Sequence, residues 1–81
     1  MGEQVRHALE THFHGARIEL DELPGGRLTG HIAWNGFADQ DHVARQELIR
    51  GALREALGSE ARQVGILLAY TPDELELMAA A

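Results

Sequence analysis

Histidine is where chemistry would be sought first in this chain, which carries five of them in 81 residues. A neutral imidazole is a good ligand for zinc, copper and iron and titrates near neutral pH. Spacing argues against chelation from a single element. Side chains share a helix face when they lie three or four positions apart. His12 and His14 are two apart, and His7 and His12 are five apart. His31 falls on the wet face of an alternating segment and would meet a second ligand only through a tertiary contact. No residue is assigned as a metal ligand; His31 is kept as a weak candidate. Nucleophilic catalysis has little to work with. The chain has no cysteine, and its one serine, Ser59, sits in a turn with no evident base. Asp39, Asp41 and His42 cluster, but a helix start collects acids to complement its dipole. No catalytic residue is assigned, and an enzyme is not expected.

The charge balance points away from polyanions. Thirteen acidic residues against seven basic ones give a net charge of -6, whereas nucleic-acid binding rests mainly on cation–phosphate contacts. All seven cations are arginines. Arg45, Arg50 and Arg54 lie along one side of a helix. They form either a phosphate stripe or, the simpler reading, a solvated face paired with Asp41, Glu47 and Glu55. Trp34 is read as filling the edge of the core rather than as a binding platform.

These residues must be held by elements that the pattern marks out. Val5, Ala8, Leu9, His12 and Phe13 make one apolar stripe, so a helix is expected over residues 3–14, with Gly15 as its stop. Ala16, Ile18 and Leu20 alternate with Arg17, Glu19 and Asp21, the period of a strand with one wet face. Pro24-Gly25-Gly26 marks a turn, and Leu28, Ile32 and Trp34 resume the alternation against Thr29 and His31, which completes a hairpin. From Asp39 onward the period is helical. Ile49, Ala52, Leu53, Ala56 and Leu57 form the core face, and Gly58 is the C-cap. Val43 and Leu48 extend that stripe off register, which would fit a kink or break near Gln46. Gly51 inside this helix is expected to allow close packing on the sheet. Gln63 to Ala69 is nearly all apolar and reads as a strand buried on both faces or nearly so. Thr71, Pro72 and Glu74 together make a capped helix start, from which Leu75 and Met78 pack back on the sheet and the trailing alanines fray. The fold class is therefore α+β in the order αββαβα: one domain over residues 1–81, with a small mixed three-stranded sheet and helices on one face. The apolar run Ile66 to Tyr70 is far too short to span a bilayer. The start of the chain has no apolar signal segment, so a cytoplasmic protein without membrane contact, monomeric when free, is expected.

This order, with these residues, resembles the BolA/IbaG family, whose fold is related to the type II KH module. Phe37, Gln46, Gly51, Leu53 and Glu55 match the family pattern, as do Ala69-Tyr70-Thr71-Pro72 and Glu74 at its end, at a joint spacing without gaps. The resemblance implies a stress-response or morphogene protein that handles a shared [2Fe-2S] cluster beside a monothiol glutaredoxin. The glutaredoxin side supplies sulfur ligands, and the BolA side supplies a histidine at the start of the third strand, with a second His or Cys in the hairpin loop. Here Gln63 stands at the third-strand position and Arg27 in the loop. An amide is a poor iron ligand, and arginine stays protonated. The expected partner surface comprises Arg27, Gln63 and Tyr70, with no cofactor belonging to this chain alone. The alternative implied by the resemblance is a nucleic-acid-binding regulator that docks the Asp41–Arg54 helix, with His42, Arg45 and Arg50 on phosphates. No GxxG loop of the KH kind is present.

Overall fold

A hairpin followed by a helical crossover fixes the sheet. In the computed structural model, which describes residues 2–80, the elements are α1 (Gly2–His12), β1 (Arg17–Glu22), β2 (Leu28–Ala33), α2 (His42–Leu57), β3 (Val64–Tyr70) and α3 (Pro72–Ala80). Short 3-10 turns at Asn35–Phe37 and Gly58–Gln63 flank α2. β1 pairs antiparallel with β2, from Arg17 opposite Ala33 to Glu22 opposite Leu28. β2 pairs parallel with β3, giving the order β1-β2-β3. A parallel pair cannot be closed by a tight turn, and α2 is the crossover that closes this one. The β2–β3 register slips between Leu28 opposite Val64 and Gly30 opposite Leu67, so β3 carries one extra residue. Gly30 has φ +154°, and a Cβ there would collide with the Glu19 carbonyl; only glycine fits.

Side-chain alternation puts Ile18, Leu28, Ile32, Leu67 and Ala69 on one face of the sheet, where α1 and α2 cover them. Val5, Leu9, Ile32, Phe37 and Leu67 are fully buried, and each such side chain contributes roughly 1.5–3 kcal/mol by leaving water. Phe13, Trp34 and Phe37 stack edge-on at the end of this core, with centroids 5.0–5.5 Å apart. The Trp34 indole donates to the His14 carbonyl at 3.0 Å, which fixes Trp34 at the core edge, as expected. A Cβ on Gly36 would run into the Trp34 ring.

Several expectations need correcting. β3 is not buried on both faces: Leu67 and Ala69 point inward, while Ile66 and Leu68 are 72% and 47% exposed. Its apolar run reflects an open outer face, on which His31 and Tyr70 also lie with ring centroids 6.1 Å apart. Helix α2 starts at His42 rather than Asp39, because the Asp41 carboxylate caps it by accepting from the Ala44 N–H at 2.8 Å. It runs unbroken through Gln46; Val43 and Leu48 fall off the stripe because they are exposed. Gly51 is exposed, and a Cβ there would meet nothing, so it serves no close packing. Gly58 does end the helix, with φ +60°. Helix α3 opens with the reciprocal box. The Thr71 hydroxyl accepts from the Glu74 N–H at 3.1 Å, and Glu74 accepts from the Thr71 N–H at 2.9 Å. Its Leu75, Glu76 and Ala79 line a shallow cleft with Arg17 and Ala33, whereas Met78 remains 53% exposed. The helix continues to Ala80; Ala81 lies outside the described residues.

Candidate functional site

The start of β3 gathers residues from two segments. The glycine turn of the hairpin brings Gly25, Gly26 and Arg27 against the 3-10 turn that follows α2, where they line one cleft with Ser59, Arg62 and Gln63. The Arg27 side chain lies over Gly65, where a Cβ would sit 3.2 Å from its methylenes. Gln63 is the last residue of the 3-10 turn rather than the first of the strand. Two of the three expected partner residues, Arg27 and Gln63, therefore meet. The third, Tyr70, is at the far end of β3, about 20 Å away along a strand that rises roughly 3.3 Å per residue. It sits beside His31 instead.

The corner does not fit an iron–sulfur cluster. Its polar groups are guanidinium, amide and hydroxyl, none of which is a ligand of the thiolate or imidazole kind that clusters take. Among the described residues no three His, Cys, Asp or Glu side chains stand close enough to hold a metal ion. His31 has Tyr70 as an aromatic neighbour and Glu19 opposite it across the hairpin, and among the described residues it belongs to no group of three potential ligands.

A second cleft, of about 640 Å³, opens between α2 and β3 and shares Ser59 and Arg62 with the first. Ile49, Val64 and Leu67 form its floor, and Arg50, Arg54 and Arg62 its rim. Arg50 pairs with Glu47 at 3.1 Å, both exposed. Among the described residues Arg27, Arg54 and Arg62 form no ion pair.

Arg45 behaves differently: it does not lie on a solvated face paired with Asp41, Glu47 or Glu55, and it is not exposed as a phosphate stripe requires. The residue is buried, with its side chain only 6% exposed. Nε donates to the carbonyls of Phe37 (3.1 Å) and Gln40 (2.9 Å). One terminal nitrogen donates to the Ala69 carbonyl (3.1 Å) and to Glu74 Oε1 (2.7 Å), and the other to Glu74 Oε2 (3.2 Å). The guanidinium also lies 5.8 Å from the Phe37 ring centroid. Four of its five N–H groups are engaged within its own chain and the residue is buried, which leaves it poorly placed to meet a phosphate. The forked bond from Arg45, helped by the Thr71 N–H, holds the Glu74 carboxyl down at about 2, from an ordinary 4.5. The same bond raises Arg45 further above its already high value. Next along the helix, the Gln46 amide donates to the Leu67 carbonyl at 2.8 Å. Arg45 and Gln46 thus cap two carbonyls on the free edge of β3. Of the other residues expected on phosphates, His42 lies in the exposed first turn of α2, and Arg50 is tied to Glu47.

Sequence reasoning missed Arg54 and Arg62 as a pair, and the signal was faint: Arg62 approaches Arg54 only because the 3-10 turn folds back on α2. No described helix is long and apolar enough to cross a membrane. Neither a protein-family model nor a curated protein matches the sequence. The structure, however, is similar to the crystal structure of a Bol-like protein from Babesia bovis. The TM-score is 0.70 at 18% identity, over 98% of this chain and 93% of that one. The element order, the mixed sheet and this similarity together establish a BolA-like α+β fold.

Proposed function

We propose that this protein is a non-enzymatic cytoplasmic adaptor, monomeric when free. It docks a partner of the monothiol glutaredoxin kind on the corner where β3 begins, in iron–sulfur cluster handling during stress. The observation that carries the reading is the convergence of Arg27 and Gln63, with Arg62, on one cleft. These groups offer hydrogen-bond donors to carbonyls and carboxylates of a partner. They do not offer a metal ligand, so any cluster in the complex is cargo ligated from the partner's side. The nucleic-acid alternative is less well supported, because Arg45 is consumed inside the fold and the net charge is -6.

The test is a titration of the protein into a cluster-loaded monothiol glutaredoxin, followed by amide shifts, visible absorbance and circular dichroism. The expected result is a one-to-one complex with shifts at Arg27, Arg62 and Gln63 and a cluster spectrum close to that of the glutaredoxin alone. Gln63→His should then alter the visible circular dichroism, because an imidazole placed there can join the cluster. A spectrum already altered by the native chain would make one of its histidines a ligand, with His31 the first to mutate. No complex in the shift map would overturn the adaptor reading.

A further inference from the structure

We infer that the cleft between α2 and β3 is a docking site for an acidic peptide segment that carries an apolar anchor side chain. The inference rests on the adaptor reading in taking the ligand to be a protein, and it names the chemistry of the segment that protein would present.

Charge complementarity is the main argument. The chain carries thirteen acids, yet among the described residues none lines this cleft, while three of its seven arginines do. Of these three, and among the described residues, only Arg50 has an internal counter-charge. That pair with Glu47 is exposed on both sides, and such a pair is worth little and is readily exchanged for a better-placed carboxylate. Arg54 and Arg62 are left to neutralise charge from outside. Guanidinium forks match carboxylates in bidentate geometry. Below them the floor of Ile49, Val64 and Leu67 is apolar, and a volume of about 640 Å³ accepts a leucine-sized side chain with its backbone.

Two features narrow the occupant. A peptide adding as a strand to the free edge of β3 needs that edge's carbonyls, but Arg45 and Gln46 already occupy those of Ala69 and Leu67. Recognition therefore runs through side chains. No aromatic residue lines the cleft, whereas sequence-tolerant binding of single-stranded nucleic acid relies on aromatic platforms. Because Ser59 and Arg62 belong to both clefts, a segment seated here would continue onto the Arg27–Gln63 corner.

The experiment titrates the labelled full chain with a short peptide, a central leucine flanked on each side by acidic residues. Amide shifts are read at Ile49, Ala61, Val64 and Gly65. The expected result is saturable shifts there that weaken about tenfold in Arg50→Gln/Arg54→Gln, since charge-assisted bonds are the strong ones. A peptide with glycine at the centre should bind more weakly than the leucine peptide. Both arginines are exposed, and an unchanged spectrum away from the cleft certifies the fold of the variant. Equal shifts from a peptide with amides in place of the acids would overturn the inference, as would stronger shifts from oligothymidylate. If the peptide fails while the glutaredoxin complex forms, this inference falls and the adaptor reading stands. If the peptide binds and no glutaredoxin complex forms, the cleft stands and the named partner falls.

Discussion

The two ends of α2 use arginine in opposite ways. At the N-terminal end Arg45 is buried, and its guanidinium is divided among the carbonyls of Phe37, Gln40 and Ala69 and the carboxylate of Glu74. There the cation is an internal strut that ties the loop before α2, the end of β3 and the start of α3 together. At the C-terminal end Arg54, with Arg62 across the turn, has an apolar floor beneath it and, among the described residues, no ion-pair partner. What decides between structure and recognition is not the residue type or its place on the helix. It is whether the surrounding backbone has unmet acceptors. The loop after β2 and the end of β3 supply those acceptors to Arg45.

The largest effect should come from exchanging one arginine at each end. Arg45→Met keeps an unbranched apolar stem but leaves buried carbonyls without donors, and each such group costs on the order of 1–3 kcal/mol. Urea unfolding should show a loss of about 3 kcal/mol, the lower end of what removing one member of a buried network costs. Arg54→Gln should stay within about 0.5 kcal/mol of the native protein, as exposed substitutions do. Similar losses for both variants would erase the distinction between the two ends.

An intermediate effect should appear in acid, and its sign follows from Glu74. The carboxyl titrates at about 2 in the folded protein against an ordinary 4.5. The unfolded chain therefore takes up the proton first as pH falls. The contribution of the Arg45–Glu74 fork is fully present above pH 4.5 and is lost as pH falls toward 2. The carboxylate is half-exposed, so the slope should be modest. Stability measured between pH 5 and 2 should decline in the native protein and less steeply in Glu74→Gln. The pair at the other end of α2 runs the opposite way. His12 is raised from 6.5, first by donating to the Ala8 carbonyl and then by Glu55 at 3.3 Å. Its contribution is complete below pH 6.5 and fades as pH rises through the raised value.

Most of the architecture could be read from the chain because local signals agreed with one another. The glycine turn, the Gly58 cap and the Thr71–Glu74 box each recur in the structure where their spacing put them. What was misread depended on tertiary partners. Arg45 lies four, seven and eight positions before Ile49, Ala52 and Leu53, on the core stripe itself. That spacing was a signal that it is buried, but its counter-charge is Glu74, 29 positions away, which no helix periodicity reveals. The β3 segment reads as doubly buried because an apolar run cannot tell a covered face from an open one. Gln63 and Arg27 were expected at one surface through the family resemblance alone, and they do line one cleft. Tyr70 belongs to the opposite end of the strand.

The smallest effect lies between the two ends of α2. Gly51 is exposed inside the helix, and a Cβ there would touch nothing within 4 Å. Glycine in a helix interior costs about 1 kcal/mol relative to alanine, because the unfolded chain is freer and no side chain compensates. Gly51→Ala should therefore raise stability by up to that amount, visible as a higher urea midpoint with an unchanged slope. The gain should be additive with the loss in Arg45→Met, since the two positions share no partner. It should leave the amide shifts of Ile49 and Val64 on acidic peptide unaltered if the cleft is a preformed surface. If stiffening the helix at Gly51 instead weakens the peptide, the C-terminal end of α2 must move to bind. The contrast between a rigid, internally satisfied end and an open one would then be a difference in mobility as well as in charge.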